Sequence, residues 1–276
     1  METYQLNDGL ILPKIGFGSY KLNGATGIEA ITSAINAGYR LIDSAFNYEN
    51  EGSVGQAIKR TGIARSDLIV TSKLPGRHHQ YQEAIQTIQE SIYRMGLDYI
   101  DIYLIHWPDP IQDQYLEAWQ ALIDAKKWGL IRSIGVSNFL PEHIDRLQKE
   151  TGIMPSINQV ELHPYFNQEI QRQYDEEHHI LTQAWSPLAR GRAVINEPII
   201  TELANKYHKS PQQIILRWEI QLNTMPIPKA SSYEHQLSNL QLFNFEITDD
   251  EIKEINKLSR PDGRNKNQDP AVYQEF

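Results

Sequence analysis

The sequence predicts an α/β protein, a (β/α)8 barrel, on three observations. Short apolar runs alternate with amphipathic helical patterns along nearly the whole chain, and the runs number eight. A length of 276 residues suits one such barrel, which takes about 250. Several of the runs end in a polar or aromatic residue, as expected where strand ends open onto the working face of a barrel.

Thr3 to Leu6 and Leu10 to Leu12 flank Asn7-Asp8-Gly9, whose Asn and Gly favour a hairpin turn. Ile15 to Gly18 follows as the first barrel strand. Its glycines do not make a dinucleotide fingerprint, because the third position holds Lys21 and no helix begins there. A helical pattern over 27–37 closes at Gly38 and leads into strand 40–43. Helix 51–60, with Asn50 as its N-cap, leads into strand 68–72. Helix 80–95 precedes strand 99–105, helix 115–127 precedes 133–136, and helix 141–150 precedes 156–160. Helix 168–178 then precedes strand 181–185. Helices near 199–207 and 211–222 bridge to the eighth strand, 224–227, and a further helix carries His235 and Asn239. The expected plan is therefore an N-terminal β-hairpin, a barrel, and additional helices after strands seven and eight. No repeat, low-complexity run or linker divides it, so a single domain over 1–276 is expected. The tail from Pro261 is polar and expected to be irregular, either a lid or loose.

With 26 basic and 35 acidic residues the chain carries a net charge of −9, which repels nucleic acid and anionic membranes. The absence of cysteine removes disulfides, thiolate metal sites and a cysteine nucleophile. No apolar stretch approaches a membrane span or a signal peptide, so a cytoplasmic monomer is expected. The pairs His78-His79 and His178-His179 are not read as a metal site, since neighbouring side chains point apart and no thiolate joins them.

Strand two ends in Asp43 with Tyr48 five residues on, strand three runs into Lys73, and strand four runs into His106. Singly, each has an ordinary reading: a loop-bonding aspartate, a surface tyrosine or lysine, a structural histidine. Together they converge, because these strands are neighbours in a barrel. A free phenol, with a pKa of ~10, is a weak proton donor at neutral pH. An adjacent ammonium favours phenolate, and a carboxylate keeps a buried ammonium charged. Asp43 is thus expected to hold Lys73 charged, Lys73 to acidify Tyr48, and Tyr48 to protonate an oxygen that His106 orients. None of the four is a reductant, so a hydride must come from a cofactor. Ser137, Asn138 and Gln159, with Asn158 beside it, offer partners for a carboxamide, and Trp185 offers a stacking face. The alternatives are helix capping for Ser137 and Asn138 and core packing for Trp185. Lys229, Ser231 and Ser232 before a helix suit a phosphate, or merely cap that helix.

These residues lie in longer stretches. Gly38-Tyr39-Arg40-Leu41-Ile42-Asp43-Ser44-Ala45 with Tyr48, Met95-Gly96-Leu97-Asp98-Tyr99-Ile100-Asp101 and Leu104-Ile105-His106-Trp107-Pro108 are three of them. Ile134-Gly135-Val136-Ser137-Asn138-Phe139, Asn158-Gln159-Val160-Glu161-Leu162-His163-Pro164 and Ile227-Pro228-Lys229 are three more. In this order the chain resembles the aldo-keto reductases over essentially its whole length, and most of all the small bacterial members that reduce dicarbonyls and keto-sugars. The resemblance implies NADP(H), with Tyr48 as general acid supported by Asp43, Lys73 and His106. It implies that Ser137, Asn138 and Gln159 hold the carboxamide, Trp185 the ring, and Ser186 and Leu188 the pyrophosphate. Lys229, Ser231 and Ser232, with His235 and Asn239, would surround the adenosine phosphate.

Ala230 replaces a serine common in the family, His235 an arginine, and Ser238 a glutamate. A neutral imidazole lacks the permanent charge and fork of guanidinium, so weakened discrimination against NAD(H) is expected. Tyr20, Phe46, Tyr48, His106 and Trp107, with the tail around Tyr273, are expected to line an aromatic pocket for small aldehydes or ketones. The short connection from Asp109 to Gln114 suggests an open site. Two rivals remain at this point: a lyase using Lys73 as a Schiff base, and a cofactor-binding regulatory subunit on the same barrel.

Overall fold

The structure, a computed structural model, describes residues 2–191 and 193–275. Thr3–Gln5 (β1) and Ile11–Pro13 (β2) pair antiparallel, giving the expected hairpin. Phe17–Gly18 (β3), Leu41–Asp43 (β4), Ile69–Leu74 (β5) and Ile100–Ile105 (β6) form the first half of a parallel sheet. Ile131–Ser137 (β7), Ile157–Glu161 (β8), Leu181–Trp185 (β9) and Met225–Pro226 (β10) complete it, each strand beside its predecessor in the chain.

The sheet closes on itself. Gly16 N–H donates to Pro226 O at 3.0 Å and Gly18 N–H to Pro228 O at 3.1 Å. Proline within a strand normally costs a ladder bond. Here Ile227 N–H donates to Ala184 O on the β9 side at 3.1 Å, so both prolines turn their missing donors toward β3. The first strand must pass very close to the eighth. A Cβ on Gly18 would lie 2.8 Å from Ile227 O, and one on Gly16 would lie 2.7 Å from Leu41 Cδ2.

Helices Gly24–Ala37 (α1), Glu51–Thr61 (α2), Tyr81–Met95 (α3), Tyr115–Lys127 (α4), Pro141–Thr151 (α5) and Glu169–Glu177 (α6) surround the barrel. Pro198–Tyr207 (α7) and Pro211–Gln221 (α8) lie between β9 and β10, and Tyr233–Leu240 (α9) and Asp249–Asn256 (α10) follow β10. The packing follows from the periodicity. On α3, Ala84, Ile88, Ile92 and Met95 recur at helical spacing and are buried. Each buried isoleucine or methionine among them stabilises the fold by roughly 1.5–3 kcal/mol over an exposed one. Inside the barrel, Leu41, Ile69, Ile102, Leu104, Ile157, Met225 and Ile227 pack with Leu6 and Leu12 of the hairpin segment. Asp101 accepts from Val70 N–H at 2.9 Å and pairs with Arg65 at 2.6 Å and Arg132 at 2.8 Å, tying β5, β6 and β7 together. Among the described residues no helix is long and apolar enough to cross a membrane.

Two details depart from expectation. Strand β5 runs on to Leu74 instead of ending at Ser72, so Lys73 is a strand residue. Asn50 precedes α2, but its side chain makes no cap hydrogen bond. It is buried instead, donating to Ser19 O at 2.7 Å and accepting from Ser44 Oγ at 2.7 Å. That is the better bargain for a buried amide, which leaves no polar atom idle.

Candidate active site

Strand β4 delivers Asp43 and β5 delivers Lys73 to one end of the barrel. Lys73 Nζ donates to Asp43 Oδ1 at 2.7 Å and to Ser44 O at 2.8 Å, and Lys73 is wholly shielded from water. The other carboxylate oxygen, Asp43 Oδ2, accepts from Gln159 Nε2 at 2.8 Å, and Gln159 donates also to Gln183 Oε1 at 2.6 Å. Tyr48 closes a single turn after β4, held by Asn23 Nδ2 donating to its carbonyl at 2.9 Å. Lys73 Nζ lies 5.0 Å from the centre of the Tyr48 ring, and the His106 ring meets the Tyr48 ring edge-on at 5.9 Å. All four residues expected from the sequence therefore gather at one point.

The electrostatics correct one expectation. The Tyr48 phenol is not acidified. Its pKa is pushed well above the usual 10, by burial first and then by the charges of Asp43 and Glu275, with Arg190 opposing. The physical reason is burial of the phenol, and Lys73, engaged by Asp43 and Ser44, stands over the ring. Burial likewise lowers the Lys73 ammonium below its ordinary value, with Asp43 acting against that loss. An amine shut from water and bonded twice is also poorly placed to form a Schiff base.

Next along the sheet, Ser137 Oγ donates to Gln159 O at 2.8 Å. Asn138 takes a left-handed backbone, φ 62°, and its amide donates to His106 O at 3.0 Å and Ser137 Oγ at 3.0 Å. Neither side chain caps the following helix. Trp185 Nε1 donates to Asn138 Oδ1 at 2.8 Å, and the ring is only half-buried, an aromatic surface left at the strand end. Gln159 sits in this set, but its neighbour Asn158 does not. Successive strand residues face opposite ways, and Asn158 turns outward to Phe139 O and Asp175. Ser186, φ 51°, and half-buried Leu188 follow on the loop after β9. Lys229, Ser231, Ser232 and His235 are exposed together at the start of α9, where Ser232 Oγ accepts from His235 N–H, while Asn239 is buried. This donor set fits a dinucleotide: amides and hydroxyls at the barrel mouth, a half-open indole beside them, and a cation with hydroxyls at a helix start.

The expected substrate residues separate. Tyr20 packs on Tyr48 with ring centres 4.9 Å apart and is 45 % exposed. Trp107 packs on Tyr273 of the tail at 4.4 Å. Phe46 does not join them, because its ring is flanked by Arg94 at 4.0 Å and His78 at 5.5 Å. The tail docks beside these residues at the mouth of the barrel. Glu161 Oε1 accepts from Asn265 N–H at 2.6 Å, Gly263 passes too close to Tyr165 O to bear a side chain, and Glu275 reaches His106. Sequence reasoning missed Glu275, Asn47 and Arg190, and no periodicity or turn signal marks any of them.

A family model described as the aldo/keto reductase family matches residues 14–260. The chain is 46 % identical over 276 residues to the 2,5-diketo-D-gluconic acid reductase B of Corynebacterium sp. (strain SHS752001), covering 100 % of this chain and 99 % of that protein. It is 40 % identical over 270 residues to the methylglyoxal reductase DkgA of Escherichia coli (strain K12), covering 98 % and 97 %. Among solved structures, a Gox0644 variant in complex with NADPH superposes with a TM-score of 0.94 at 35 % identity, over 99 % of this chain and 98 % of that one. A Bombyx mori aldo-keto reductase in complex with NADP gives 0.91 at 36 % identity, over 100 % and 98 %.

Proposed function

The chain belongs to the aldo-keto reductase family, an NADP(H)-dependent family of reductases, and on that footing we propose that it reduces small aldehydes and ketones to alcohols with Tyr48 as proton donor. The observation that carries this reading is the meeting of Tyr48, Lys73, Asp43 and His106 at one mouth of the barrel. Dicarbonyls such as methylglyoxal, aromatic aldehydes and keto-sugars are the substrate class.

A raised phenol pKa suits this role. It keeps the Tyr48 proton in place across the neutral range, and a developing alkoxide is a stronger base than phenolate, so transfer to it is downhill. Lys73, fixed by Asp43 and Ser44, then faces the phenolate left behind. His106 supplies a ring nitrogen to orient the carbonyl oxygen. Ser137, Asn138 and Gln159 would hold the carboxamide, Trp185 the ring, and Ser186 and Leu188 the pyrophosphate. Lys229, Ser231, Ser232, His235 and Asn239 would take the adenosine end. When bound, the nicotinamide supplies the hydride. With His235 and Ala230 at the adenosine end, NADP(H) is favoured and NAD(H) only partly excluded.

NADPH and NADH oxidation measured across methylglyoxal, 4-nitrobenzaldehyde and keto-sugars tests the reading. Turnover with at least one carbonyl, faster with NADPH, is expected. Cofactor binding without turnover of any carbonyl would instead identify a cofactor-binding regulatory protein.

A further inference from the structure

Beside His106 the chain builds a niche of hydrogen-bond donors and fills it with its own Glu275 side chain. Glu275 Oε1 lies 2.7 Å from His106 Nδ1 and accepts from Asn47 Nδ2 at 2.7 Å. Glu275 Oε2 accepts from Gly76 N–H at 3.0 Å. Arg77 donates to Asn47 Oδ1 at 2.6 Å, which turns the amide nitrogen toward the carboxylate. From behind, Glu275 N–H donates to Asp109 Oδ1 at 2.9 Å. Gly76 leaves the room needed, since a Cβ there would fall 1.6 Å from Asp109 Oδ2.

Glu275 is 8 % exposed. Burial alone would raise its carboxyl pKa, but the contacts to His106, Gly76 and Asn47 outweigh burial and bring it below the ordinary value, so it stands ionised. Nδ1 faces Glu275 at contact distance without the alignment of a hydrogen bond, and Nε2 is the ring atom turned to a substrate oxygen. Adding the ring width and two hydrogen-bond lengths puts that oxygen within about 8 Å of the Glu275 carboxylate. His106 is the nearest opposing group, and Arg77 reaches the carboxylate through Asn47. Lys73 is spent on Asp43. Asp109 is another acid, and His79 is buried and pushed down to about 4, hence neutral. Arg190 is exposed on its loop, where water screens it.

We propose that Glu275 is a specificity-determining residue: by filling the donor niche beside His106 with a fixed negative charge, it selects neutral carbonyl substrates against those that carry a carboxylate. This deepens the reductase reading and rests on it.

The test compares kcat/KM for glyoxylate, whose carboxylate is bonded to the carbonyl carbon, and methylglyoxal in the wild type and in Glu275→Gln, with NADPH. The anionic-to-neutral ratio is expected to rise about tenfold or more in the variant, the effect of removing one like charge at close range. A purely structural role would depress both substrates alike, and an unchanged ratio overturns the proposal. Calorimetric titration of acetate into NADP+-saturated protein is the second arm, with chloride as control. Glu275→Ala is expected to bind acetate in the vacated niche and the wild type not to. Absence of acetate binding to Glu275→Ala overturns the proposal. If the wild type reduces neither aldehyde, the reductase reading fails, while the acetate arm still decides whether the niche recognises a carboxylate.

Discussion

Lys73 Nζ and Asp43 Oδ1 stand 2.7 Å apart with both side chains almost wholly removed from water, 0 % and 3 % exposed. A pair of this kind is stabilising only while complete, because a lone buried charge keeps its desolvation cost and loses its compensation. Asp43→Asn is expected to destabilise the fold by about 3–5 kcal/mol in urea unfolding. Asp43→Asn combined with Lys73→Met should recover part of that loss. Simple addition of the two single effects would show that the ions are not coupled.

Tyr48→Phe removes the proposed donor and keeps the ring that packs on Tyr20 and His106. Carbonyl turnover should fall by at least ~10²-fold, the usual worth of a general acid. NADPH binding, followed by fluorescence quenching, should stay near wild type. Normal turnover would mean that the proton comes from elsewhere.

Glu219 on α8 is fully buried with neither carboxylate oxygen hydrogen-bonded among the described residues, and burial raises its pKa well above the usual value. A raised acid means that the folded state holds a proton which the unfolded chain releases above about pH 4.5. The resulting penalty grows as pH rises beyond that point. Glu219→Met should therefore raise Tm at pH 7, and by more than at pH 4.

Asp109 is held up to about 7, by burial first and by the neighbouring Glu275 charge. Its contribution to stability is lost as pH climbs from about 4 to about 7. Asp109→Asn keeps an oxygen for Glu275 N–H and removes the charge. It should raise Tm at pH 8 and leave Tm at pH 4 nearly unchanged.

His235 is exposed beside Lys229 and Ser231 at the start of α9. His235→Arg adds a permanent cation and a planar fork, which suit a phosphate. The dissociation constant for NADPH should fall about tenfold, in line with one charge-assisted hydrogen bond, while that for NADH should barely move.

Much of this molecule was legible before any coordinates. Short strands set between amphipathic helical patterns make β4 to β9 stand out, and the residues at or beside their carboxyl ends name Asp43, Lys73 and His106. What was hidden depends on distance in the chain. Glu275 meets His106 across 169 positions by way of an aperiodic polar tail, so nothing local announces it. The direction of the Tyr48 pKa was hidden for another reason. Residue types show that a cation and an anion are near the phenol, but only geometry shows that the phenol is buried and the cation already bonded to the anion.

The closure between β3 and β10 has a consequence for how the barrel moves. Because Pro226 and Pro228 have no N–H to offer, every cross-link described there runs one way, from glycine amides to proline carbonyls. That junction holds fewer bonds than a full ladder and is the natural line along which the cylinder first unzips, ahead of any global unfolding. The solvent exchange of the Gly16 and Gly18 amides would report such an opening. A hinge at this edge lies next to Lys229 and Ser231, so a cofactor whose adenosine end sits there would act as a staple across it.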